Sequence, residues 1–78
     1  MTNLEKYNAA FCESLNVEEA QLAELKYQSI PEWDSVGHMS LVAAIEDAFD
    51  IMIEMDDIID LSSYQKGKEI LKKYNVEL

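Results

Sequence analysis

Apolar residues recur along the chain at helical rather than strand spacing. Leu4, Tyr7, Ala10, Phe11 and Leu15 share one face of a first helix, placed roughly at residues 2–14. Thr2, with Glu5 three positions later, supplies a capping-box start. Asn16-Val17 interrupts the helix. Glu18 to Leu25 has room for a short helical turn, and Lys26 to Pro31 forms a connector. Pro31 restricts Ile30 to extended geometry and closes off any helix from upstream.

A second helix is expected from about Ser35 to Asp50, with Val36, Met39, Val42, Ile45 and Phe49 as its apolar stripe. Leu41, Ala43, Ala44 and Ala48 flank the stripe, while Glu46, Asp47 and Asp50 should face water. Met39 and Met52 fit core or rim positions, and Cys12 a partly buried one. Ile51-Met52-Ile53 alternates like a strand, but no second strand exists to pair with it. Asp56 to Asp60 should form one helical turn that carries Ile58 and Ile59 inward. Ser62 with Gln65 repeats the capping logic for a last helix, whose inner face is Tyr64, Gly67, Ile70, Leu71 and Tyr74. Lys72 and Lys73 fall in its last turn, where cations suit the helix dipole. The expected fold is all-α: a single-domain bundle, residues 1–78, of three main helices plus one short helix.

Seventy-eight residues support only a thin core, and a domain of this size buries about 60% of the surface of its unfolded chain. Little room remains for a catalytic cavity. The single Cys12 excludes an internal disulfide and makes a zinc site implausible. No apolar run is long enough to span a bilayer, and no signal leader is evident, so a cytosolic protein is expected; a monomer is expected as well.

Charge changes the picture more than size does. Sixteen acids oppose six lysines, with no arginine. Between Lys26 and Lys66 lie nine acids, Glu32 through Asp60, with no lysine or arginine among them. Phosphate backbones would be repelled, which makes nucleic acid a poor partner. A protein with a basic patch would be steered toward this surface. Asp56, Asp57 and Asp60 lack the alternating oxygens and the turn glycine of a calcium loop, and no metal site is expected.

The candidate chemistry gathers around Asp34-Ser35. A hydrolytic serine would need His38 as its base and an acid behind the imidazole, and Asp34 is badly placed for that. No strand leads into a nucleophile elbow either. Two readings of Ser35 then stand side by side. Asp34 or Ser35 is an ordinary helix cap, or Ser35 is an attachment point where a phosphate ester would meet the positive end of the second helix.

Asp34-Ser35-Val36, followed by Met39, Leu41-Val42, Ala44-Ile45-Glu46 and Phe49-Asp50-Ile51, resembles the signature region of acyl carrier proteins. Length, acidity and helix order across the chain agree with that family. The resemblance implies a 4′-phosphopantetheine arm on Ser35, flanked by Asp34 and attached by a phosphopantetheinyl transferase using magnesium and coenzyme A. It implies acyl or aminoacyl cargo held as a thioester on the arm, and no catalysis by the carrier itself. It also implies docking of basic partners, a loading ligase and downstream transferases, on the second helix and its surroundings. The docking positions would be Val36, Gly37, His38, Met39, Ser40, Glu46, Asp47, Asp56 and Asp57. Some members enclose an acyl chain between their helices. Ala43, Ala44 and Ala48 either leave such space or let helices pack closely.

Gly37 and Ser40 replace acids common in fatty-acid-synthesis carriers, and Trp33 replaces a small residue. Trp33-Asp34-Ser35 with Gly37-His38-Met39 is similar to small stand-alone carriers of specialised bacterial pathways, such as surface-polysaccharide or aminoacyl-transfer systems. On residues alone, Gly37 either clears space beside Ser35 or is merely tolerated near a helix end. His38 should face solvent or a partner, and Trp33 should pack on the start of the second helix. A non-carrier acidic adaptor would explain the helices and charge equally well.

Overall fold

The computed structural model describes residues 2–78. Its helices are α1 (Asn3–Leu15), α2 (Ser35–Phe49), α3 (Met55–Asp60) and α4 (Tyr64–Lys73), with a 3₁₀ segment at Glu19–Glu24. Among the described residues there is no strand, only an isolated bridge between Lys26 and Ser63. This is the expected small all-α bundle, and none of its helices is long and apolar enough to cross a membrane.

α1 starts where the capping box places it. Thr2 Oγ1 accepts the Glu5 amide at 3.1 Å, and Glu5 Oε1 accepts the Thr2 amide at 2.9 Å. Asn16 ends the helix in a left-handed conformation, φ 54°, and Asp50 ends α2 the same way, φ 52°. Both are among the few non-glycine residues that tolerate this region.

The start of α4 differs from expectation. Ser63, not Ser62, is its cap and accepts the Lys66 amide at 3.0 Å. The cause is long-range. The Tyr27 amide donates to the Ser62 carbonyl at 2.8 Å, and the Tyr64 amide donates to the Leu25 carbonyl at 3.1 Å. These two bonds hold Ser62 and Ser63 against the connector, with Ser63 extended, and delay the helix by one residue.

The core is aromatic. Phe11 lies at its centre, edge-on to Tyr7 at 4.9 Å, Tyr64 at 5.2 Å and Trp33 at 5.6 Å between ring centroids. Such pairs add about 0.5–1.5 kcal/mol each beyond the area they bury. Leu15, Leu22, Leu41, Val42, Ile45, Ile70 and Leu71 fill in around them. The Tyr7 hydroxyl donates to the Tyr64 carbonyl at 2.6 Å, and burial pushes its pKa up.

Not all of the expected α2 stripe is inside. Leu41, Val42 and Ile45 are buried, but Val36 is 76% exposed and Met39 54% exposed. Three residues advance a helix by about 300°, so each step of three slips by about 60°. Three such steps carry Val36 to the side opposite Ile45. On α3, Ile58 packs against the core, whereas Ile59 is 72% exposed, contrary to expectation. Met52, expected at core or rim, is also exposed.

Candidate functional site

Ser35 is the first residue of α2, and its side chain is exposed. Asp34 carries out the capping: its Oδ1 accepts the Gly37 amide at 2.8 Å, and its carbonyl accepts the His38 amide at 2.8 Å. The Ser35 hydroxyl is therefore spared from capping. Its neighbour is the Tyr27 hydroxyl, 3.3 Å away. The Ser35 and Val36 amides precede the first α-helical hydrogen bond and present the positive end of the helix dipole.

His38 does not pair with Ser35. Its Nδ1 accepts the Trp33 indole N–H at 2.9 Å, and its Nε2–H donates to the Ile58 carbonyl at 2.8 Å. An indole only donates and a carbonyl only accepts, so the ring is neutral with its proton on Nε2. His38, expected to face solvent or a partner, is instead half-buried and links the loop before α2 to α3. Trp33 is fully buried, as expected for a residue packed on the start of α2. A nucleophilic serine needs a hydrogen-bonded base, and here both imidazole nitrogens are engaged elsewhere.

Neither sequence reading of Gly37 describes its setting. A Cβ there would lie 1.9 Å from the Glu32 carbonyl oxygen and 3.4 Å from Leu15. The loop backbone crosses directly over Gly37, and only a residue without a side chain admits it.

The remaining candidates divide into two groups. Val36, Met39, Ser40, Asp47 and Asp56 are exposed around the start and outer face of α2 and the start of α3. Met55 and Ile59 of α3 are exposed as well. Glu46 and Asp57 are turned inward. Glu46 Oε2 accepts the Ile53 amide at 2.8 Å and fastens the α2–α3 loop. Asp57 is 4% exposed; it accepts from Lys73 Nζ, and from the Tyr74 hydroxyl at 2.6 Å. Hydrogen bonding to Lys73 and then Tyr74 holds its carboxyl below the usual 3.8. It is a clamp between α3 and α4, not a free docking acid, and that expectation is withdrawn.

A cleft of about 250 Å³ opens on this side, lined by Tyr27, His38, Ile58, Ile59, Leu61 and Ser62. Tyr27 connects it to Ser35. Sequence reading missed Tyr27 altogether, because what places it, the Ser62 carbonyl, lies far along the chain. Among the described residues no group of three or more His, Cys, Asp or Glu side chains is disposed to hold a metal ion. No protein-family model, curated protein or solved structure matches the chain.

Proposed function

We propose that this chain is a discrete carrier protein that receives 4′-phosphopantetheine on Ser35. The observation that carries the reading is the division of labour at the start of α2. Asp34 supplies the cap, so capping no longer accounts for Ser35, whose hydroxyl stays exposed beside two unpaired first-turn amides. Those amides suit an anionic phosphodiester, and the open surface around Ser35 gives a transferase access. The Ser35 Oγ–phosphorus bond forms as the pyrophosphate bond of coenzyme A breaks. Adenosine bisphosphate leaves, and the hydroxyl proton passes to the transferase. The arm, once attached, supplies a thiol that holds acyl or aminoacyl cargo as a thioester.

The protein's own residues bind and present. Val36, Met39, Met55 and Ile59 offer apolar contacts, and Asp47 and Asp56 offer charge to partners with basic rims. Such partners are the transferase, a loading ligase and the downstream transferases. The reading places the protein in the cytosol as a monomer serving a specialised biosynthetic pathway. The same surface also suits an adaptor that carries no arm.

Mass spectrometry divides the two. Incubation with coenzyme A, magnesium and a promiscuous phosphopantetheinyl transferase should add one phosphopantetheinyl group, and Ser35→Ala should abolish the gain. No gain, or a gain that survives Ser35→Ala, removes the carrier reading. Full biological function in Ser35→Ala would favour the adaptor.

A further inference from the structure

Where a carrier keeps its cargo depends on whether its helices can part. Here the way between α2 and α3 is occupied by a hydrogen-bonded strut. The indole of Trp33, fully buried and edge-on to Phe11 at 5.6 Å, donates to His38 at 2.9 Å. His38 in turn donates to the Ile58 carbonyl of α3 at 2.8 Å. Behind the strut stand the rings of Phe11, Tyr7 and Tyr64. Moving α3 away to admit a chain would break the bond to Ile58. Moving Trp33 aside would break the other and leave the indole N–H unpaired against apolar side chains, the costly way to lose a hydrogen bond. The small residues of α2 do not relieve this: Ala43 faces out, and Ala44 packs against the core.

Outside the strut the situation is reversed. The open cleft of about 250 Å³ is lined by Ile58, Ile59 and Leu61 together with Tyr27, His38 and Ser62. It begins next to Ser35, whose Oγ is 3.3 Å from the Tyr27 hydroxyl. Building on the carrier reading, we infer that the acyl or aminoacyl cargo stays at the surface, outside the bundle, rather than between its helices. A long alkyl chain stored inside the bundle is the arrangement the strut opposes.

The test uses the full chain loaded with acetyl-, glycyl-, hexanoyl- or decanoyl-phosphopantetheine, each checked by mass. Hydroxylamine attacks the thioester carbonyl, giving the hydroxamate and the free thiol. Each rate is compared with that of the same thioester on free pantetheine. Every protein-bound thioester should react within about two-fold of its free counterpart, because none is shielded from water. The melting temperature should not climb with chain length. A decanoyl thioester about tenfold slower than its free counterpart, or a melting temperature rising from acetyl to decanoyl, overturns the inference while leaving the carrier reading intact. Failure to load at all overturns the carrier reading, and this inference with it, before any thioester is assayed.

Discussion

Gly37 is the residue whose role a single substitution resolves most sharply. Two effects oppose each other there. Alanine is the better helix former by up to about 1 kcal/mol. The added methyl would meet the Glu32 carbonyl oxygen at 1.9 Å, a backbone atom that cannot swing aside as a side chain would. Overpacking of this kind costs about 1–3 kcal/mol, so Gly37→Ala should be destabilising on balance, read as a lower urea midpoint. A stabilised variant would mean that the loop does not cross α2 at this point. The sequence made Gly37 conspicuous but gave no sign of the loop above it, since Glu32 and Gly37 meet only once Trp33 is buried. Ser35 was legible for the opposite reason: its exposure and its place at a helix start are local properties.

At the scale of elements, Asp57 ties α3 to the end of α4, and the tie depends on pH. Lys73 and Tyr74 hold its carboxyl below the usual 3.8. A depressed folded-state pKa contributes stability that is fully present above the unfolded carboxylate range and is lost as pH falls through the folded-state pKa. Asp57→Asn should therefore lower the urea midpoint at neutral pH. The two midpoints should converge only as pH falls from the usual carboxylate range through the depressed folded-state pKa, where the wild-type carboxyl is protonated in the folded chain as well. Parallel curves down to that pH would show that the pair contributes nothing through its charge. Salt will weaken the effect, because the Lys73 end is exposed. Elements were legible in proportion to how locally they are determined. The Thr2–Glu5 box and the left-handed Asn16 are written in adjacent residues. The cap at Ser63 depends on the distant Tyr27 and Leu25, and the run of threes on α2 concealed the slip that exposes Val36 and Met39.

Across the whole molecule, charge is segregated rather than balanced. The net charge is −10 at pH 7, yet four of the six lysines, Lys66, Lys68, Lys72 and Lys73, lie on α4. The acids of α2, α3 and their loops have few cations close by, so they repel one another across a core with little stability to spare. Raising sodium chloride from about 10 mM to about 300 mM should screen this repulsion and raise the melting temperature by about 4–8 °C, equivalent to about 1 kcal/mol. A midpoint indifferent to salt would mean that the acids are already compensated.

The bond between Tyr27 and Ser62 also bears on how the protein is made. A chain emerging from the ribosome exposes Ser35 well before Ser62 and Tyr64 have been added. Until those residues arrive, the connector that sets Tyr27 against the Ser35 hydroxyl has only its local bonds, such as the Gln28 amide to the Trp33 carbonyl at 3.0 Å, and lacks its ties to residues 62 and 64. The surroundings of Ser35 are completed by residues synthesised well after it, and an enzyme that recognises those surroundings will act on a chain in which they are already in place.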